Sequence, residues 1–259
     1  MPPSRRRKRL SFAKEAGDWP DGVDRKVYAS LDSTNAEADR LGLGLTRPTW
    51  ILALEQTAAR GRRGRAWVNP AGNFAASLVM RPVGALEHWA LRSFVASLAL
   101  AEALDGFTGR PGALSLKWPN DVLLNGGKLA GILLESSASQ LTIGIGVNLV
   151  AAPETDQVEP DALVPVSLLG ETGVRVTPEE LLTPLATRFA HHEHSLTTYG
   201  FAPIRTAWLA RAAKLGQPIR ARIGQIEEHG VFRDVDAVGN LVLETSKGPR
   251  AIPAADVYF

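Results

Sequence analysis

Apolar residues recur at helical spacing through the stretch from residue 85 to residue 107. The stretch is also rich in alanine and leucine, which favour the helical state intrinsically. We therefore predict a helix there. The residues that recur at helical spacing are Leu86, Trp89, Ala90, Phe94, Leu98, Ala101 and Leu104.

Other helices are marked by signals at their ends. Thr34 and the glutamate three residues later have capping-box spacing, and Gly42 lies where that helix would end. The sequence TPEE at 177–180 combines a capping box with proline at the first helical position. Pro184 is expected to kink this helix or to delay its start. A further helix is predicted over 201–213.

Short apolar runs separated by turns predict a sheet in the middle of the chain. Residues 49–57 and 73–82 have the apolar density of buried strands, and several short β-rich runs follow between residues 114 and 150. Their close spacing favours a mixed, largely antiparallel sheet over repeated βαβ units. Beyond residue 214, short strands with tight turns predict a small all-β barrel.

These elements predict an α+β fold with two structured units. The first, residues 26–213, would contain the mixed sheet and the helices, and the second, residues 214–259, would be the barrel. Residues 1–25 would form a basic N-terminal tail. Because its run RRRKR is short and terminal, we expect that tail to be solvated.

Composition excludes several classes of protein. The 259 residues are 45% hydrophobic and 22% charged, as in a globular protein with a full core. No apolar run approaches the ~20 residues that span a bilayer, and no apolar segment of a secretory signal follows the basic N terminus. Because cysteine is absent, disulfides, thiolate metal sites and a cysteine nucleophile are excluded. We therefore expect a cytoplasmic protein without a membrane segment.

The most unusual local sequence is ARGRRGRAW at residues 59–67. Four arginines are interleaved with two glycines directly after a predicted strand. A guanidinium group offers a planar set of donors to carboxylates and phosphates, and glycine lets the backbone approach an anion closely. The segment is therefore a candidate anion-binding loop, with an exposed basic hairpin as the alternative.

Two further segments place polar groups beside predicted strands. In KWPND (117–121), the proline keeps the residue before it extended and the Asn-Asp pair favours a turn. Lys117, Asn120 and Asp121 would then converge at a strand end, although a plain turn is an equal alternative. Lys128 follows a Gly-Gly turn and enters an apolar strand, where its charge would act strongly on a bound anion.

Other motifs carry less information. GIGVNL at 144–149 matches only half of a dinucleotide-binding fingerprint, and neither a P-loop nor a GxSxG sequence occurs. The stretch HHEH at 191–194 offers two histidines on one helical face without a third metal ligand. We therefore expect a solvated helix face there rather than a zinc site.

Taken together and in order, five segments resemble the signature of the biotin–protein ligases. They are STN (33–35), EQTAARGRRGRAW (55–67), KWPND (117–121), KLAGILLE (128–135) and GIGVN (144–148). The resemblance runs from about residue 26 to the end of the chain. Only about 25 residues precede it, so the chain is similar to the monofunctional members, which lack an N-terminal helix-turn-helix domain.

The resemblance implies both a fold and a reaction. The fold would be a class II synthetase-like catalytic domain followed by an SH3-like C-terminal barrel. Biotin and Mg-ATP would give biotinyl-5′-adenylate and pyrophosphate, and a lysine of a biotin carboxyl carrier domain would then take the biotinyl group. The arginine segment would close over the reacting anions and exclude water from the labile adenylate.

The resemblance also assigns roles to individual residues. Biotin would be bound by Ser33, Thr34, Asn35, Gln56, Arg60, Gly61, Arg62 and Lys128. The nucleotide would be bound by Arg60, Arg62, Arg65, Trp67, Lys117, Asn120, Asp121 and Asn148. Arg62, Lys128 and Asp121 would have the catalytic roles. Mg²⁺ would arrive with ATP, near Asp121, without a fixed protein site.

The chain departs from the family pattern at two positions in the arginine segment. Ala59 stands where the family usually has glycine, which would stiffen the entry to the segment. Ala66 stands where a lysine often precedes the tryptophan, so any charge supplied there is missing. Neither change affects the arginines assigned to the ligands.

Three alternatives remain open from the sequence. A lipoate–protein ligase or octanoyltransferase shares the fold, but the octanoyltransferase needs a cysteine and the lipoate ligase pattern of three glycines before a histidine is missing. A nucleic-acid-binding repressor module would use the two basic runs and bind with a steep salt dependence, but no DNA-binding domain is recognisable. The barrel could also serve only for interaction. The sequence leaves open the oligomeric state, with a homodimer as one option, and the identity of the acceptor carboxylase.

Overall fold

The computed structural model describes residues 19–61, 64, 67, 69–110, 112–137, 139–154, 158 and 161–259. Arg62, Arg65 and Ala66 of the arginine segment lie outside the described residues, as does the basic run at 5–9. None of the described helices combines the length and the apolar character that a membrane crossing requires.

The described residues form five α-helices and twelve β-strands. The helices are α1 (Thr34–Gly42), α2 (Arg92–Thr108), α3 (Leu168–Thr172), α4 (Pro178–Tyr199) and α5 (Phe201–Leu209). The strands of the first sheet are β1 (Asp24–Tyr28), β2 (Thr49–Ala53), β3 (Phe74–Met80), β4 (Leu114–Lys117), β5 (Asp121–Leu124), β6 (Gly127–Ser136) and β7 (Leu141–Val147). Those of the second sheet are β8 (Pro218–Ile223), β9 (Ile226–Val235), β10 (Leu241–Thr245), β11 (Gly248–Ile252) and β12 (Asp256–Tyr258).

The first sheet is mixed and largely antiparallel, as the strand spacing predicted. Its strand order is β1-β2-β3-β7-β6-β5-β4, and only the described β1–β2 pair is parallel. Every residue of β2 and β3 is buried because helices cover both faces of the sheet. On one face Trp50 meets the ring of Phe189 from α4, and on the other Ile51 packs with Ala38 of α1.

The second sheet is the small C-terminal β structure that the sequence predicted. Its order is β11-β10-β9-β8-β12, with antiparallel pairs between the neighbouring strands. It is joined to the first unit by polar contacts as well as by packing. The indole Nε1 of Trp118 donates to the carbonyl oxygen of Gly239 at 3.0 Å, and Arg205 of α5 pairs with Asp234 of β9.

Helix α1 begins one residue earlier than its capping pattern predicted. Ser33, in an extended conformation, is the N-cap, and its hydroxyl oxygen accepts a hydrogen bond from the backbone N–H of Ala36. Glu37 makes an ion pair with Arg40 at 2.7 Å instead of closing a capping box with Thr34. The side chain of Thr34 is thereby left for another partner.

The helix predicted over 85–107 is not α-helical throughout. Residues Leu86–Leu91 form a 3₁₀ helix, and α2 begins only at Arg92. The change from 3₁₀ to α-helical geometry occurs where two polar side chains are held by hydrogen bonds. The guanidinium of Arg92 donates to Glu193 of α4 at 2.7 Å, and the hydroxyl of Ser93 reaches the loop that precedes β5.

Helix α4 confirms its start signal, excludes a delayed start at Pro184 and corrects the expectation for one histidine. Both halves of the Thr177 capping box are present and Pro178 is the first helical residue, so Pro184 does not delay the start. His191 is exposed, as a solvated face requires. His192 is not, because it is buried against Glu102 of α2, with 2.9 Å between the imidazole Nε2 and the carboxylate.

Helix α5 ends at Leu209, earlier than the predicted residue 213. The chain beyond it pairs with the edge of the first sheet. Leu116 of β4 accepts a hydrogen bond from the N–H of Ala213 at 2.8 Å and donates to the carbonyl of Arg211 at the same distance. Completing the edge of the sheet therefore replaces the last turn of the helix.

Candidate active site

A cavity of about 500 Å³ lies between the first sheet, at β5, β6 and β7, and the C-terminal end of the second sheet. It gathers the described residues that the sequence analysis assigned to the site. These are Ser33, Thr34, Asn35, Gln56, Arg60, Gly61, Trp67, Lys117, Asn120, Asp121, Lys128 and Asn148. A volume of this size is typical of a site for a small ligand.

One end of the cavity is polar and is built on the start of α1. The carbonyl oxygen of the Gln56 side chain accepts from the backbone N–H of Thr34 at 2.7 Å and lies 3.2 Å from the Thr34 hydroxyl. The Ser33 hydroxyl oxygen accepts from Ala36, so its proton is free to point elsewhere. Ser33 and Thr34 are at most 6% exposed. This end therefore offers neutral hydrogen-bonding groups on dry walls.

The described part of the arginine segment lies between this end and β6. The Arg60 guanidinium is 3.8 Å from the carboxylate of Glu135 and is half exposed. Gly61 also lines the cavity. At the far end of the segment, the backbone N–H of Trp67 donates to the carbonyl of Ala59 at 3.1 Å, so residues 59 and 67 are adjacent.

The indole of Trp67 packs closely against two glycines of neighbouring strands. Gly131 of β6 and Gly146 of β7 are directly paired across the sheet. A Cβ atom at Gly146 would come within 2.7 Å of the ring, and one at Gly131 within 3.3 Å. The indole Nε1 is buried and has no hydrogen-bond partner among the described residues. The glycine pair is therefore needed for the ring to reach the sheet.

The opposite end of the cavity is cationic. The carboxylate of Asp121 lies between Lys128, whose Nζ is 2.8 Å away, and Lys117, whose Nζ is 3.6 Å away. Burial opposes ionisation of Asp121, but the two ammonium groups outweigh it and hold its pKa below the ordinary value. Burial also holds the pKa of Lys117 below its ordinary value, although Asp121 opposes that shift. Two cations beside one anion leave this end positive and suited to an anionic ligand.

The KWPND segment is held in place from two directions. The Ser93 hydroxyl at the start of α2 donates to the carbonyl oxygen of Pro119 at 2.9 Å. The Trp118 indole donates to Gly239 in the turn between β9 and β10. The segment is therefore more than a plain turn, because both helix α2 and the second sheet fix its position.

Two asparagines line the same region. The side chain of Asn120 donates to the carbonyl of Ile132 in β6 at 2.6 Å. The side chain of Asn148 donates to the carbonyl of Val166 at 3.1 Å, while its own Oδ1 is buried without a partner among the described residues. A buried acceptor without a partner is costly. Asn148 can therefore accept a hydrogen bond from a ligand in the cavity.

Several lining residues were missed by the sequence analysis. Residues 255–258, at the end of the second sheet, line the cavity, as do residues 161–163 and 165. The latter stretch is held by a hydrogen bond from the N–H of Lys128 to the carbonyl of Val164 at 2.8 Å. Their sequences contain no motif, so only their place in the fold reveals them. Glu135 closes KLAGILLE, yet no role was assigned to it.

Comparisons with known proteins identify the family that the chain matches. The model of the biotin/lipoate A/B protein ligase family matches residues 27–148, and that of the biotin protein ligase C-terminal domain matches residues 214–259. The chain is 57% identical over 238 residues to a biotin–[acetyl-CoA-carboxylase] ligase of Paracoccus denitrificans, covering 90% of this chain and 99% of that one.

A more distant relative and a solved structure also match the chain. A biotin–[acetyl-CoA-carboxylase] ligase of Mycobacterium tuberculosis is 33% identical, with 89% of this chain and 87% of that one covered. The fold is similar to that of a biotin protein ligase from Aquifex aeolicus solved with biotin and ATP. That match has a TM-score of 0.79 at 24% identity and covers 90% of this chain and 97% of the other.

Proposed function

The chain belongs to the biotin/lipoate A/B protein ligase family, and we propose that it is an ATP-dependent biotin–protein ligase. It joins biotin to AMP and then transfers the biotinyl group to a lysine of a biotin carboxyl carrier domain. The observation that carries this proposal is a single cavity with a neutral polar end at α1 and a cationic end at Asp121. Biotin has the matching chemistry, a neutral ureido ring joined by an aliphatic chain to a carboxylate.

The neutral end is the site we propose for the ureido ring. Ser33, Thr34 and Gln56 supply buried hydrogen-bonding groups there, and Asn35, Arg60 and Gly61 complete the wall. A ring that carries both N–H donors and a carbonyl acceptor can pair with such a set. A buried site built for hydrogen bonding rejects ligands that leave its groups unpaired.

The cationic end is the site we propose for the chemistry. A carboxylate oxygen of biotin attacks the α-phosphorus of ATP, and the bond to the bridging oxygen of pyrophosphate breaks. Two anions must approach each other, and Lys128, Lys117 and Arg60 offset their repulsion. We assign Arg62 and Arg65 to the same clamp on the strength of the sequence alone. In the second half-reaction the neutral ε-amine of the carrier lysine attacks the acyl carbon, and AMP leaves.

We place the adenosine beside Trp67 and Asn148. The indole offers an aromatic face, and the unpaired Oδ1 of Asn148 offers an acceptor. Mg²⁺ enters this scheme as part of the ATP substrate and screens the phosphate charge. Both oxygens of Asp121 already face ammonium groups, at 2.8 and 3.6 Å, so Asp121 acts chiefly by holding Lys117 and Lys128. Asn120 supports the same segment.

Pyrophosphate release tests the proposal directly. The full chain, given biotin and Mg-ATP, should release pyrophosphate and then biotinylate a purified biotin carboxyl carrier domain. Lys128→Ala and Arg62→Ala should abolish most of this activity, whereas Glu87→Gln, at an exposed position outside the cavity, should retain it. No pyrophosphate release by the wild-type chain with clean biotin and carrier would refute the assignment.

The same assay distinguishes the alternatives. A lipoate ligase would use lipoate in place of biotin, and a nucleic-acid-binding module would bind nucleic acid with a steep salt dependence and no need for biotin. A catalytic unit of residues 26–213 with a barrel from residue 214 and a cytoplasmic location remain predictions of the sequence, and a homodimer remains one option for the oligomeric state.

A further inference from the structure

We propose that Glu135 and Ser77 are positioning residues that fix the direction of the Thr34 hydroxyl, so that Thr34 presents only acceptor lone pairs to the cavity. Neither residue is among those assigned to the site above. The inference rests on the proposed function, because it concerns the end of the cavity assigned to the ureido ring. It makes the pocket selective for a ligand that brings an N–H group.

Glu135 on β6 fixes the orientation of the Asn35 side chain. One of its carboxylate oxygens lies 2.6 Å from the Nδ2 atom of Asn35. An ionised carboxylate can only accept, so the Asn35 atom that faces it must be the amide nitrogen. The Asn35 oxygen must then face the opposite way, toward Ser77 of β3. The charge of Glu135 therefore settles the orientation of an amide that could otherwise be turned over.

The Asn35 side chain is closely packed. It is 5% exposed, and it lies directly over Gly144 of β7. A Cβ atom at Gly144 would be only 2.3 Å from the Asn35 oxygen. The missing side chain of Gly144 therefore creates the space that Asn35 fills, and the amide is held flat against the strand.

Ser77 transmits this orientation to Thr34. It is fully buried, and its hydroxyl oxygen is 2.5 Å from the Asn35 oxygen and 2.7 Å from the Thr34 hydroxyl oxygen. A serine hydroxyl has one proton. Because the Asn35 oxygen can only accept, that proton goes to Asn35. The short contact with Thr34 is then a hydrogen bond only if Thr34 donates its own proton to Ser77. The Gln56 side-chain oxygen, 3.2 Å from the Thr34 hydroxyl oxygen, is the competing acceptor, and the shorter contact of 2.7 Å to Ser77 takes the proton.

The consequence is a defined polarity at the cavity wall. The Thr34 proton points inward, and the lone pairs of its oxygen remain for the ligand. The side-chain oxygen of Gln56 already accepts from the Thr34 backbone, so the groups that Gln56 has left are its amide donors. A cyclic urea, with N–H groups beside a carbonyl, satisfies both. A lipoyl or octanoyl chain has no N–H and would leave Thr34 unpaired.

The second oxygen of Glu135 faces the arginine segment. It lies 3.8 Å from the guanidinium of Arg60, so the same carboxylate that orients Asn35 also attracts the start of that segment. Glu135→Gln keeps the size of the side chain and removes the charge. The glutamine can donate as well as accept, so Asn35, Ser77 and Thr34 lose their defined direction.

Calorimetric titration with biotin alone tests this assignment. Glu135→Gln and Ser77→Ala are each expected to weaken biotin binding about tenfold, as the loss of one well-placed hydrogen bond does. Desthiobiotin, which keeps the urea and lacks the sulfur ring, should lose the same factor. The KM for ATP should stay within about twofold of the wild type. The double variant should be little weaker than Ser77→Ala, because both changes act through Thr34.

Two matched control variants accompany this test. Glu87→Gln and Ser136→Ala make the same chemical changes at exposed positions and should bind biotin like the wild type. Unchanged biotin binding in Glu135→Gln, additive losses in the double variant, or an equal rise in the KM for ATP would overturn the assignment. A wild-type chain that binds no biotin would instead overturn the proposed function on which it rests.

Discussion

Replacing Asp121 with asparagine removes the carboxylate that lies between Lys117 and Lys128 while keeping the shape of the side chain. Asp121 is 8% exposed, and its partners are 2.8 and 3.6 Å away. Removing one partner of a buried ion pair typically costs about 3–5 kcal/mol. The Lys128 side chain is 31% exposed and can recover some hydration, so we expect the lower end of that range, about 3 kcal/mol.

The pH dependence of this loss is also defined. Burial alone would raise the pKa of Asp121, but the two lysines lower it below its ordinary value of 3.8. A carboxylate with a depressed folded-state pKa contributes stability above its unfolded pKa and loses it as the pH falls through the folded value. The difference between wild type and Asp121→Asn should therefore be constant from about pH 5 to 7 and shrink below pH 3.8.

Urea unfolding at a series of pH values measures this difference. Asp39→Asn, at an exposed position on α1, is the matched control and should leave the unfolding free energy nearly unchanged. Pyrophosphate release should fall in Asp121→Asn, because Lys117 and Lys128 are no longer held together. If Asp121→Asn is as stable as the control at pH 7, or if the difference grows toward low pH, the ion-pair argument is wrong.

Three further changes have distinct expected results. Gly146→Ala should push the indole of Trp67 off the sheet and reduce adenylate formation about tenfold or more, and Gly131→Ala should have a smaller effect. Pyrophosphate release and tryptophan fluorescence measure both variants. A Gly146→Ala rate equal to that of the wild type would contradict this. Thr177→Ala should lower the unfolding free energy in urea by about 1 kcal/mol without changing the KM for biotin, and a changed KM would show that the cap acts on the site. Because burial lowers the pKa of Lys117, its ammonium group should lose its proton before the pH reaches 10.5. As the pH is raised, the KM for ATP should therefore begin to increase below pH 10.5, and Lys117→Met should lack that dependence.

Local sequence singled out the residues of the cationic end of the cavity, although a plain turn was an equal alternative for KWPND and the pairing of Lys128 with Asp121 was not predicted. In KWPND the proline and the Asn-Asp pair restrict the backbone, so Lys117 and Asp121 could be expected at a strand end. Lys128 was expected on a strand with apolar neighbours, and β6 does carry it. These predictions depend on residues within a few positions of one another, and the fold class followed from strand spacing in the same way.

The neutral end depends on contacts between distant parts of the chain. Asn35 and Glu135 are 100 residues apart, and Ser77 and Asn35 are 42 apart. They meet because α1 packs across β3 and β7, whose register also decides which side chains point toward the helix. The pattern of Ser77 within a buried strand is that of any small core residue. Nothing near it in the sequence marks it as a hydrogen-bonding partner.

Strand β7 supports two of the side chains that line the cavity. Gly144 and Gly146 are two residues apart, so both lack a side chain on the same face of the sheet. Asn35 fills the space over Gly144, and the indole of Trp67 fills the space over Gly146. Two strand residues span about 7 Å, so Asn35 and the indole pack at neighbouring positions along one strand. Strand β7 thus sets the spacing between the end proposed for the ureido ring and the place proposed for the adenosine, because a larger residue at either glycine would displace Asn35 or Trp67.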